Sequence, residues 1–192
     1  MRAGTLGMVW LLVVLLGCVS ESRQAAGERR MKIKLISSAF VAGEPIPARY
    51  TGVGEDISPP LAWSGAPKGT RELALICDDP DAPSAKHPGP EPWVHWVLYG
   101  IPAGTKSLPE AIPRVIKLEQ PVGALQGNNS WPAVGYRGPL PPPGSGPHRY
   151  FFKLYALDTK LSIGPKQDKQ VLLEAISGHV LAEGQLMGTF ER

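Results

Sequence analysis

Charge of one sign is scarce in this chain once its first residues are set aside. The formal net charge is +3 over 192 residues. Four of the 20 basic and two of the 17 acidic residues fall in the first 31, at Arg2, Arg23, Arg29, Arg30, Glu21 and Glu28, which leaves 16 basic and 15 acidic residues in 32–192. That balance, with no Lys/Arg stripe, argues against nucleic-acid binding, which needs many phosphate-neutralising contacts. Cysteine is scarce too, with Cys18 and Cys77 alone, and a domain of about 150 residues must bury its core without staples. There is no HExxH, no paired-cysteine spacing and no internal repeat, so the familiar zinc motifs are missing. Hydrophobic residues at 43% and charged residues at 19% exclude wholesale disorder and a polytopic membrane protein. What the chain has in excess is glycine and proline, 22 and 21, together about 22% against roughly 12% on average. A mostly helical fold is thereby excluded.

The one long apolar run is Leu6–Leu16, preceded by Arg2 and followed by Gly17-Cys18 and a polar stretch. A positive n-region before an apolar h-region marks an export signal. From Leu6 to Val19 about 14 residues are apolar, too few to span a bilayer, which takes about 20. Leu15-Leu16-Gly17-Cys18 resembles a bacterial lipoprotein signal, in which the cysteine becomes the lipidated first residue. The expected division is therefore 1–17 signal peptide, 18–31 polar linker and 32–192 folded domain, with a membrane anchor at Cys18 that gains about 0.8 kcal/mol per buried methylene. Two alternatives stay open: cleavage near Ala25-Ala26-Gly27, giving a soluble periplasmic or secreted protein, and a start at Met31, giving a cytoplasmic one. With Cys18 lipidated, Cys77 has no partner, and within the run Leu73–Cys77 it reads as a small buried hydrophobe.

The remaining chain reads as β-rich. Lys32–Phe40 is expected as a strand, Leu73–Cys77 as a buried central strand, and Trp93–Tyr99 and Arg149–Leu157 as strands on aromatic and β-branched content. Both faces of these strands are apolar, as in interior strands of a large sheet covered on two sides. Gln185–Phe190 can supply a last strand. Only Asp168–Ser177 looks helical, with Asp168 as cap, an apolar stripe at Val171, Leu172, Ala175 and Ile176, and Gly178 as stop. Long proline-rich connections lie at 79–92, 102–114 and 131–147, beyond the usual loop length and so candidates for function.

Three strand ends concentrate reactive side chains: Asp78-Asp79-Pro80-Asp81-Ala82-Pro83, Trp93-Val94-His95-Trp96 and Gly146-Pro147-His148-Arg149-Tyr150. Period 2 puts Trp93, His95 and Val97 on one face, and His148 and Tyr150 on one face of the other strand. Neighbouring strands would bring two imidazoles, a phenol and one or more carboxylates to one cavity. A carboxylate hydrogen-bonded to an imidazole favours the imidazolium and fixes which nitrogen faces a ligand, so the set is suited to holding an oxyanion. Asp79 and Asp81 before prolines also suit Asx turns, and Arg149 either braces Asp81 or faces solvent.

These segments, with Gly135-Tyr136-Arg137-Gly138-Pro139, Pro141-Pro142 and Ser58-Pro59-Pro60-Leu61-Ala62-Trp63, resemble the phosphatidylethanolamine-binding proteins, or Raf kinase inhibitor proteins, and more closely their bacterial Raf-kinase-inhibitor-like branch. The resemblance covers 32–192. It implies a mainly β fold with a large central antiparallel sheet flanked by a smaller sheet and one or two short helices. It also implies a non-catalytic pocket, without cofactor or metal, for a phosphate-type anion or phospholipid head group. Carried over residue by residue, that pocket comprises Asp79, Asp81, His95, Gly138, His148 and Tyr150, with the Gly138 amide as a donor. The chain departs from the eukaryotic branch at Val94, where a second histidine stands, and in ending at Arg192 without a C-terminal helix. The expected cis bonds are Ala82-Pro83 and, by resemblance, Glu91-Pro92.

Rival readings are a protein-interaction module that inhibits a kinase or protease, and a metal-dependent hydrolase ligated by His95, His148 and an aspartate. Gly144-Ser145-Gly146 lacks the flanking pattern of a nucleophile elbow. Accordingly the chain is read as a binding protein and not as an enzyme.

Overall fold

The computed structural model describes Met1 and residues 31–192. The export segment and Cys18 lie outside the described residues. The chain runs β1 (Met31–Lys32), β2 (Lys34–Ile36), β3 (Leu61–Ser64), β4 (Glu72–Asp79), β5 (Trp93–Pro102), β6 (Ser107–Leu108), β7 (Leu125–Gln126), β8 (His148–Leu157), α1 (Lys169–Ile176) and β9 (Val180–Phe190). A six-stranded sheet has the order β1-β9-β8-β4-β5-β7, antiparallel except for β1, and a three-stranded sheet has the order β2-β3-β6. This is the mainly β architecture expected, a large sheet beside a smaller one with one short helix.

Every residue of β4 is buried, as its continuous apolar run requires of a central strand covered on both faces. Leu73, Leu75 and Cys77 face the main core, together with Trp96, Leu98, Phe152 and Leu154 and with Leu35, Leu61, Trp63 and Leu108 of the small sheet. Ala74 and Ile76 face the second core, closed by Leu172 and Ile176 of α1. The helix begins where Asp168 accepts a hydrogen bond from the Val171 amide at 3.0 Å, a cap worth about 1 kcal/mol. It ends before Gly178, at φ +81°.

The single strand expected over Lys32–Phe40 is divided. The chain pairs with β9 through Met31 and Lys32, and from Lys34 joins β3 in the small sheet. The Ile33 amide still donates to the Glu183 carbonyl at 2.8 Å, so the switch between sheets falls at that residue. Beyond Ile36, Ser37 turns away by donating to the Pro60 carbonyl at 2.7 Å.

A second difference decides the site. The β4–β5 pairing slips between Cys77/Trp96 and Asp78/Val94, so His95 is the additional residue of a β-bulge. A bulge resets the alternation of the strand that carries it. Trp93 and His95 face the candidate cavity as period 2 requires, but Trp96 follows His95 into the main core, and Val97 goes to the second. Val97 therefore does not share a face with His95. Ala82-Pro83 is cis as expected. The other cis bond among the described residues is Gln120-Pro121, and Glu91-Pro92 is not cis. That correction has a local reason: the Val94 amide donates to Ser130 Oγ at 2.8 Å and the Ser130 amide to the Val94 carbonyl at 2.9 Å, so Ser130 holds the start of β5 without a reversal at Pro92.

Candidate functional site

The end of β4, the start of β5 and the start of β8 enclose a cavity of about 180 Å³. Its polar wall is Asp79, His95, His148 and Tyr150, and its apolar wall includes Trp93, Trp131, Leu140 and Pro141. Asp79 is the last residue of β4 and keeps the parity of Leu75 and Cys77, so its carboxylate points to the same side as the main core. There Oδ1 accepts from the Asp81 amide at 2.8 Å and Oδ2 from His148 Nδ1 at 2.7 Å. Side-chain exposures of 3% for Asp79 and 1% for His148 make this a pair sealed from bulk water. With Nδ1 committed to the carboxylate, Nε2 is the nitrogen left for other partners, and Ser145 Oγ lies 3.1 Å from it.

Tyr150, two residues along β8, stacks on His148 at 6.5 Å between centroids and meets the His95 ring edge-on at 5.1 Å. Its phenol is pushed far above the usual range, first by burial and then by the Asp79 charge, so it stays a neutral hydroxyl. His95 Nδ1 donates to the Arg137 carbonyl at 2.6 Å, leaving Nε2 as its free nitrogen. Burial lowers the pKa of His95 below its ordinary value, outweighing the Arg137 carbonyl and Asp79, which act the other way. The expectation of two imidazolium donors is thus corrected for His95, because desolvation wins over the carboxylates, and at neutral pH it is an uncharged ring.

Two of the six residues named from the resemblance are placed elsewhere. Asp81 lies past the turn and is held by Arg149, whose Nε donates to Oδ2 and whose Nη2 donates to Oδ1, each at 2.8 Å, while the Arg149 amide adds a bond at 2.9 Å. These bonds hold the Asp81 carboxyl below its usual range, so Arg149 braces Asp81 while its side chain stays about half exposed to solvent. The Gly138 amide donates to Asp56 Oδ1 at 2.7 Å and is no part of the cavity wall. Its lack of a side chain answers a packing need, since an added Cβ would fall 2.5 Å from the Tyr50 carbonyl oxygen and 2.7 Å from Thr51 Cα.

Three contributors escaped the sequence reading. Arg137 fixes His95 through its carbonyl, covers the Trp131 ring at 5.2 Å and lies 3.6 Å from Asp56. Trp131 stands edge-on to His95 at 5.2 Å and to Trp93 at 5.3 Å. Ser145 adjoins His148. Each belongs to a loop whose path the local sequence does not define. Among the described residues no cluster of three or more His, Cys, Asp or Glu is placed to hold a metal ion.

The model of the phosphatidylethanolamine-binding protein family matches residues 36–191, which includes every wall of this cavity. The chain belongs to that family. It is 49% identical over 160 residues to a UPF0098 protein of Methanothermobacter thermautotrophicus, covering 83% of this chain and 99% of the relative. With a UPF0098 protein of Pyrococcus horikoshii it shares 40% over 182 residues, 95% of this chain and 85% of the relative. Among solved structures, a putative phosphatidylethanolamine-binding protein homologue of Chlamydia trachomatis superposes with a TM-score of 0.74 at 38% identity, over 84% of this chain and 98% of the other. Escherichia coli YbcL, described as a new member of the mammalian family, does so with 0.75 at 30%, over 84% and 99%.

Proposed function

We propose that this family member binds a phosphate-type anion, free or as a phospholipid head group, in the cavity between β4, β5 and β8. The observation that carries the reading is the Asp79–His148 pair at 2.7 Å, which commits Nδ1 and leaves Nε2 for other partners on a residue that lines the cavity. A protonated His148 donates there with the strength of a charged hydrogen bond, and the Tyr150 hydroxyl, held neutral and hydrogen-bonded to Asp79, lines the same wall. The volume of about 180 Å³ suits a tetrahedral oxyanion with a short substituent. The walls of Trp93, Trp131, Leu140 and Pro141 leave few polar groups to compete for the ligand. His95 adds a donor only in acid, once its lowered pKa is passed. The export signal and a lipid anchor at Cys18 belong to the same proposal, since they would hold the cavity near phospholipid, and intact mass of membrane-fraction protein tests them through a diacylglyceryl-modified chain starting at residue 18.

Calorimetric titration with inorganic phosphate and with glycerophosphoethanolamine tests the binding. Affinity should be greater in acid than at neutral pH, because His95, whose pKa burial lowers, becomes a charged donor only there. Loss of a charged hydrogen bond costs about 1.5–3 kcal/mol, so His148→Asn, which keeps a donor toward Asp79 but no charge, should weaken binding roughly 10- to 100-fold. Affinity that ignores both pH and His148 would end the proposal.

A further inference from the structure

Ser145, His148 and Asp79 stand in a line that phosphate binding does not require. Asp79 Oδ2 accepts from His148 Nδ1 at 2.7 Å, and His148 Nε2 lies 3.1 Å from Ser145 Oγ. Residues 69 apart in sequence are joined by the first contact and residues three apart by the second. The carboxylate is buried and fixed by the Asp81 amide at 2.8 Å, the imidazole is clamped between it and the Tyr150 ring, and the serine is half-buried on the loop that carries Pro141 and Pro142 to the cavity wall. A nucleophile hydrogen-bonded to a base that is itself oriented by a third group is the arrangement acyl transfer uses, and it is recognised by geometry and not by sequence pattern.

The turn around Ser145 adds what the oxygen of a substrate would need. Gly144 and Gly146, on either side of Ser145, both adopt left-handed backbone, φ +73° and +86°. The Ser145 amide is used by the Pro142 carbonyl at 3.1 Å. The Gly146 amide, on the residue after the nucleophile, has no hydrogen-bond partner among the described residues. An amide in that position is a familiar oxyanion donor.

We propose that Ser145 is a reactive nucleophile, with His148 as its base and Asp79 as positioning residue, and that the cavity accepts small carboxylic esters with an apolar acyl group. With the imidazole neutral, Nδ1–H remains on Asp79 and Nε2 takes the serine proton. Oγ forms a bond to the ester carbonyl carbon, the carbon–oxygen bond to the leaving alcohol breaks, and the proton held on Nε2 passes to that alcohol. Water then attacks the acyl-serine, its proton returning through Nε2, and releases the carboxylic acid and free Ser145. The acyl group lies against Trp93, Trp131 and Leu140.

The experiment uses the full chain, a serine-directed fluorophosphonate and p-nitrophenyl butyrate, read by intact mass, peptide mapping and nitrophenol release. The wild type should gain one fluorophosphonate adduct mapped to Ser145. Ser145→Ala should lose the adduct, and His148→Asn should slow it by about 100-fold or more, the contribution of a general base. Asp79→Asn should lower the rate and shift its pH profile, which a merely structural loss would not do. The wild type alone decides the matter if the variants fail to fold. No adduct at Ser145, or one formed as fast in His148→Asn as in the wild type, overturns the inference. Phosphate titration of the same wild-type sample separates this outcome from that of the binding proposal: binding without labelling defeats the nucleophile alone, and labelling without binding defeats the anion site alone.

Discussion

The coupling between Asp79 and His148 is the interaction on which the site depends, and a double-mutant cycle measures it. His148→Ala leaves a carboxylate that is 3% exposed with the Asp81 amide and the Tyr150 hydroxyl as its remaining donors. Orphaning a buried carboxylate by removing its partner costs about 3–5 kcal/mol. Asp79→Asn removes the charge but keeps an oxygen that can still accept, so the loss is nearer the about 1.5–3 kcal/mol of one charge-assisted hydrogen bond. In the double variant no orphaned charge remains, and the total should fall short of the sum of the singles by about 1.5–3 kcal/mol, the upper part of the range found for residues in direct contact. Urea unfolding at neutral pH gives the four free energies, and an unchanged slope with denaturant shows that the compactness of the end states is preserved. Losses that add to within about 0.5 kcal/mol would mean that the two side chains act independently, and the reading of the cavity as built around this pair would be wrong.

Two further predictions concern residues that the structure reassigns. Burial lowers the His95 pKa, so below about pH 6.5 the unfolded chain binds a proton that the folded one refuses, and stability declines by up to about 1.4 kcal/mol per pH unit until folded His95 also titrates. The stability gap between wild type and His95→Gln should therefore narrow on acidification from about pH 7.5 to about pH 5.5, and a gap that stays constant counts against the assignment. For Gly138→Ala the added Cβ meets the backbone of Tyr50 and Thr51 at 2.5 and 2.7 Å, which must move apart at a cost of about 1–3 kcal/mol. Thermal unfolding should show that loss, and an unchanged midpoint would remove the packing explanation for this glycine.

What the sequence discloses and what it conceals divide along a physical line. β4, β5, β8 and α1 were readable because each is specified by its own residues: an apolar run, aromatic and β-branched stretches, a capped apolar stripe. The convergence of Asp79, His95, His148 and Tyr150 followed from the same parity argument, given neighbouring strands. Parity failed at Val97, where a bulge resets it, and a bulge leaves no mark in a stretch that is apolar on both sides. It was also silent on Gly138, whose amide belongs to an aspartate 82 residues away. Ser145 and Trp131 sit on proline-rich loops whose course depends on contacts between distant segments, and no local period describes such a course.

Asp78 shows what the alternation did contain but was not asked. It sits beside Asp79 and points the other way, with Ala74 and Ile76, to the opposite side of the sheet. There it is fully buried and receives hydrogen bonds from Lys153 at 2.7 and 3.0 Å and from Lys169 as well. Reading β4 by twos would have required a basic partner on that face, since a buried carboxylate is tolerated only when paired. The consequence reaches the site. Two lysines neutralise Asp78 on the far side, and Arg149 neutralises Asp81 outside the cavity. Asp79, held by the Asp81 amide, the His148 imidazole and the Tyr150 hydroxyl, is then the carboxylate in direct contact with His148. One strand end thus separates three adjacent acids into a buried structural pair, a brace and the orienting group of the cavity, by parity and by the turn at Pro83.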